Sequence, residues 1–127
     1  MTVPADGPSF EHLTGVRDAL RQFAAERDWD QFHAPKNLAM ALVVEAAEVV
    51  EHFQWLTTVE SAALSEQKRA AIGAELADVL FYLVRLADRL DIDLAAAASA
   101  KMAVNEAKYP AARVRGSARK YDDYDTD

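Results

Sequence analysis

The sequence predicts an all-α, four-helix-bundle-like protein, and three observations carry that prediction. Residues 38–56, LAMALVVEAAEVVEHFQWL, and residues 76–90, LADVLFYLVRLADRL, are long, strongly apolar and free of Gly and Pro, as buried helices are. The chain has only four Gly and four Pro in 127 residues, against an apolar share of 51%. No stretch shows the strict apolar–polar alternation of a half-buried strand. A chain of this length makes one domain with a real core.

Taken in order, residues 1–8 hold two Pro and one Gly and read as a flexible N-terminal arm. Ser9 is placed to cap a first helix running to about residue 28, in which Phe10, Leu13, Val16, Leu20 and Phe23 recur at steps of three and four. The segment 29–35, WDQFHAP, breaks that pattern, and Pro35 suits the first turn of a second helix that continues to about residue 56. Residues 57–65 form a polar connection with room for a short helical turn. Ser65 is the expected cap of a third helix over 66–90, and Asp93 of a fourth that Pro110 stops. The core domain therefore spans 9–110. A polar tail over 111–127 has a basic half (Arg113, Arg115, Arg119, Lys120) and an acidic half (Asp122, Asp123, Asp125, Asp127).

Two pairs of acids interrupt the apolar helices: Glu45 with Glu48, and Glu75 with Asp78. Positions i and i+3 share a helix face, so each pair aims two carboxylates at one volume, and two facing helices would converge four. Such charges repel and resist desolvation, so they must be protonated, paired with cations or bound to a metal. An oxygen-only donor set suits Mg2+, or Mn2+ in its place. Glu51, His52 and Trp55 share the sector of Glu45 and Glu48, while Tyr82, Arg85 and Arg89 share the stripe of Glu75 and Asp78. The rival reading is a noncatalytic oligomeric bundle whose acids are neutralised by Arg85 and Arg89. A di-iron bundle is excluded, since it wants Glu-x-x-His and none of His12, His33 or His52 has Glu three residues before it.

A net charge of −7 argues against nucleic-acid binding through a general electrostatic footprint. The absence of Cys excludes disulfides, zinc thiolate sites and cysteine catalysis. No signal-like or membrane-spanning run occurs, so the expected location is cytoplasmic. Walker-type loops and GxSxG elbows are absent too, which leaves phosphate binding to metal, Lys and Arg. The second helix is apolar over most of its circumference, more than one short chain covers, and this predicts a symmetric dimer or tetramer.

The order ExxE at 45–48 and ExxD at 75–78 resembles the metal motif of the MazG-like all-α nucleoside triphosphate pyrophosphohydrolases. The segments RDWDQFHAPKNLAMALVVEAAEVVEHFQW, ELADVLFYLVRLADRLDIDL, KMAVNEAKYPA and SARKY are similar to the dCTP pyrophosphatase branch over about residues 9–121. The resemblance implies a homotetramer that hydrolyses a nucleoside triphosphate to monophosphate and pyrophosphate with Mg2+, with dCTP or a modified dCTP preferred, as in clean-up of the nucleotide pool. It implies Glu45, Glu48, Glu75 and Asp78 as metal ligands and catalytic residues. Trp29, His33, Trp55 and Tyr82 match positions of the nucleotide pocket, and Lys36, Asn37, Lys101, Asn105 and Tyr109 match positions near phosphate or sugar. Lys108 departs from the pattern by standing where many members have Arg, which keeps the charge and loses the bidentate fork.

Overall fold

Side-chain caps set the starts of three of the described helices. The computed structural model describes residues 7–120 and 122, and every regular element among them is helical. The elements are α1 (Leu13–Glu26), a 3-10 turn (Asp30–Phe32), α2 (Pro35–Glu51), α3 (Thr58–Ser61), α4 (Glu66–Arg89), α5 (Leu94–Lys108) and α6 (Ala111–Val114). Pro35 occupies the first turn of α2, where its missing N–H costs nothing. Ser65 caps α4 by accepting from Lys68 N–H at 3.1 Å, and Asp93 caps α5 by accepting from Ala96 N–H at 3.0 Å. The connection after α2 holds the short helix α3, closed by a reciprocal capping box between Thr57 and Glu60 that also holds the Glu60 carboxyl below its ordinary pKa.

Three boundaries differ from the sequence expectation. Helix α1 starts at Leu13 with His12 as its N-cap and not with Ser9, because Phe10 folds back beside Gly15 and the first turn closes on the His12 carbonyl. Helix α2 stops at Glu51: His52 and Phe53 donate to the carbonyls of Val49 and Val50, tightening the last turn, and Trp55 lies beyond the helix. No Gly or Pro marks that end. In the tail, residues 111–114 form one helical turn. Residues 1–6 of the expected arm, and Asp123, Asp125 and Asp127 of the acidic half, lie outside the described residues.

Helices α1 and α4 end alike. In α1 the N–H groups of Asp28 and Trp29 close on the carbonyls of Ala25 and Ala24, and in α4 those of Asp91 and Ile92 close on Asp88 and Ala87. The closing residue of each motif is an Asp in the left-handed region, Asp28 and Asp91 both at φ 54.

The chain divides into two compact units, residues 1–92 and 93–127. In the first, α4 is the central helix: α2 packs along it and α1 packs on it. Its core is Val16 and Ala24 of α1, Leu38 of α2, and Ile72, Val84 and Ala87 of α4. Leu38, 2% exposed, is the anchor of α2. The second unit carries α5 and α6.

Candidate functional site

Packing α2 against α4 turns the acidic sector of α2 inward. Glu45, Glu48 and His52 are half-buried on the side of Leu38, while Met40, Val43, Val44 and Val50 are exposed on the other. One oxygen from each of Glu45, Glu48 and Glu75 lies within 4.8 Å of the others. The Oε2 atoms of Glu45 and Glu75 are buried and have no hydrogen-bond partner among the described residues. A buried anionic oxygen with nothing to bond is costly, so this donor set fits a hard divalent cation such as Mg2+ or Mn2+.

The electrostatics of the cluster point the same way. The pKa of Glu45 is pushed up to about 7, first by hydrogen bonding with Glu48, then by burial and by the negative charges of Glu48, Asp78 and Glu75. Glu75 is also raised, by the same hydrogen bonding to Glu48 and by burial, with His52 pulling it back. His52 Nε2 lies 3.9 Å from Glu75 Oε1. Asp78, the fourth acid of the motif, stands outside the tight group on an exposed position, although its charge is felt by both Glu45 and Glu75.

Two turns beyond Asp78 along α4, a network absent from the sequence expectation assembles. Arg85, in the run FYLVRLA, is 6% exposed. It donates to His33 and Asp30 and stands 3.7 Å from Asp88, while Arg89 donates to the His33 carbonyl. Asp88 is held below its ordinary pKa, chiefly by the hydrogen bond from Arg21. A cavity of about 520 Å3 opens beside this network, not beside the acids, lined by Arg21, Ala25, Asp30, Arg85, Asp88, Arg89 and Asp91. Among the described residues Arg85 and Arg89 form their ion pairs and hydrogen bonds here, so the rival bundle loses the cations it assigned to the four acids.

The remaining predicted site residues fall as follows. Trp29 lies edge-on to Phe23 at 5.6 Å and to His33 at 6.2 Å. Lys36 is exposed in the first turn of α2, and the Asn37 side chain donates to the Phe32 carbonyl at 3.2 Å, tying the 3-10 turn to α2. Trp55 is 87% exposed and Tyr82 half-buried on α4. Lys101, Asn105 and Tyr109 belong to the second unit, where Tyr109 N–H closes on the Asn105 carbonyl at 2.8 Å. Two further residues join the site. His52 had a signal, its place on the sector of Glu48. Arg85 had one too, as a lone cation inside an apolar run.

The MazG-like family model matches residues 40–124, which include all four acids. The chain belongs to the MazG-like family. The chain is 50% identical over 111 residues to dCTP pyrophosphatase 1 of Homo sapiens, covering 86% of this chain and 65% of that protein. It is 47% identical over 124 residues to dCTP pyrophosphatase 1 of Bos taurus, covering 96% of this chain and 73% of that one. The chain thus spans about two thirds of the length of the Homo sapiens relative. The MazG-like fold also matches the crystal structure of a pyrophosphatase from Archaeoglobus fulgidus, with a TM-score of 0.74, 38% identity, and coverage of 83% of this chain and 98% of that one.

Proposed function

We propose that this chain is a Mg2+-dependent nucleoside triphosphate pyrophosphohydrolase that converts a (d)NTP and water to the (d)NMP and pyrophosphate, preferring dCTP or a modified dCTP. The observation that carries the reading is the convergence of Glu45, Glu48 and Glu75 with two unpartnered buried oxygens, in a chain half identical to dCTP pyrophosphatase 1.

Glu45, Glu48 and Glu75 would hold the cation, with Asp78 adding its charge from the next turn of α4. Mg2+, or Mn2+ in its place, supplies positive charge that binds triphosphate oxygens and stabilises charge developing at the α-phosphorus. Water attacks the α-phosphorus in line with the bond to pyrophosphate, and a carboxylate of the cluster orients it and takes its proton. Trp29, Trp55 and Tyr82 offer rings for stacking on a base, and the exposure of Trp29 and Trp55 argues against a core role for either. Lys36 offers a cation to phosphate and Asn37 holds the loop beside it. The assignment of Lys101, Asn105 and Tyr109 to substrate stands on the resemblance of the KMAVNEAKYPA segment.

The protein is a homotetramer, or a dimer, joined through the outer face of α2. Met40, Val43, Val44 and Val50 are 58%, 68%, 57% and 57% exposed there, a continuous apolar stripe that a lone chain leaves in water. The working location is cytoplasmic, with no nucleic acid or membrane as partner; no helix among the described residues is long and apolar enough to cross a membrane.

Incubating the purified protein with each dNTP and Mg2+, and measuring monophosphate and pyrophosphate, tests the reading. Equal yields of both from dCTP are expected. No monophosphate from any nucleotide, with or without Mn2+, overturns it.

A further inference from the structure

The buried guanidinium of Arg85 has no part in the chemistry above, yet a charge so placed is costly unless its donors are all engaged. Its Nε–H donates to Nδ1 of His33 at 3.1 Å, and an Nη donates to the Asp30 carboxylate. The Asp88 carboxylate lies 3.7 Å from its other Nη, and accepts two hydrogen bonds from Arg21 of α1 at 2.7 and 2.5 Å. One turn on, Arg89 Nε donates to the His33 carbonyl at 3.2 Å. Helix α4 thereby grips the short turn flanked by Trp29 and His33, and Arg21 of α1 braces Asp88.

For the imidazole this has one chemical consequence. A donor aimed at Nδ1 requires a lone pair there, so the ring proton sits on Nε2. Protonating Nδ1 would set an imidazolium against a guanidinium. Burial, Arg85 and Arg89 all lower the His33 pKa, and only Asp30 opposes them. The ring is therefore neutral, and Nε2–H is its one donor.

We infer that Arg85 is a positioning residue for nucleotide binding: it holds His33 in the tautomer that presents Nε2–H to an acceptor oxygen of the bound nucleotide, and through Asp30 it fixes the turn carrying Trp29. This inference rests on the pyrophosphohydrolase reading and adds to it a residue of α4 that lies two turns beyond Asp78 and outside the acidic cluster. An apolar side chain would pack as well in the FYLVRLA run, so the guanidinium is there for what it holds.

The test uses Arg85→Met, which keeps a long side chain and removes every donor, and Arg85→Lys, which keeps the charge for Asp30 and Asp88 but lacks the fork that serves His33 and Asp30 together. Two quantities are read on the full chain: the His33 ring tautomer and titration by 15N NMR, assigned with a His33→Gln control, and steady-state kinetics with dCTP. The parent protein is expected to show the Nε2–H tautomer. In Arg85→Met the ring should become a mixture of tautomers, its titration midpoint should rise, and KM should increase about tenfold with kcat within about twofold, the loss of one aligned hydrogen bond. An unchanged tautomer in Arg85→Met, or a fall in kcat at unchanged KM, overturns the inference. If Arg85→Met does not fold, Arg85→Lys decides on the same two readouts. If the parent hydrolyses no nucleotide, the pyrophosphohydrolase reading fails separately, and the tautomer alone decides whether Arg85 positions His33.

Discussion

Protons and a divalent cation compete for the same carboxylates in this protein, and metal affinity should report the competition. Glu45 has its pKa pushed up to about 7, so below that pH a cation binding there must displace a proton. For one group of that pKa, the ionised fraction falls from about 90% at pH 8 to about 10% at pH 6, which predicts a roughly tenfold weaker apparent affinity at pH 6. The raised Glu75 steepens the dependence. Calorimetric titration of EDTA-treated protein with Mn2+ at the two pH values, in buffers of different ionisation enthalpy, gives both Kd and the protons released. A Kd equal at pH 6 and pH 8, with no proton release, would refute the reasoning. Glu48 is the largest cause of the Glu45 shift, so Glu48→Gln should flatten the pH dependence, weaken the metal and abolish turnover. Stability follows with a definite sign. The folded chain holds the Glu45 proton up to about 7, against the ordinary 4.5, so the contribution of this group to the metal-free protein is full below about 4.5 and is lost as pH rises through 7. Its Tm in EDTA should be lower at pH 8 than at pH 5, and Mn2+ should restore it at pH 8.

Trp55→Ala removes an exposed ring, so Tm should hold while KM for dCTP rises about tenfold, within the ~1 to 3 kcal/mol of a base-stacking contact; a large loss of Tm at constant KM would instead make Trp55 a subunit contact. Val43→Lys with Val44→Lys puts charge on the outer face of α2 and should convert the assembly to 14.0 kDa chains by light scattering, whereas a parent protein already of that mass would defeat the interface assignment. Asp91→Gly relieves a left-handed residue at φ 54 and should stabilise by about 0.5 to 1 kcal/mol, seen as a Tm higher by a few degrees; a lower Tm would mean that the Asp91 side chain matters more than its backbone.

What could be read from the chain alone was what short-range chemistry decides. Ser65 and Asp93 mark helix starts because a capping bond is completed within three residues of the cap, and Pro35 because its fixed φ and missing N–H suit a first turn. The acid pairs share a face because a helix repeats every 3.6 residues, whatever surrounds it. The start of α1 and the end of α2 were not legible in that way, since one depends on Phe10 folding back and the other on a closing turn without Gly or Pro. Packing decided the rest. A helix as apolar as α2 has no pattern that says which side meets its neighbour, so only its contact with α4 turned Glu45 and Glu48 inward and left Val43 and Val44 outside. That same contact gathered Glu75 with them and left Asp78 apart. Arg85 and Arg89, on the stripe of the acids by periodicity, serve His33 at sequence separations of 52 and 56 residues, because a long flexible cation goes to whichever partner the fold brings within reach.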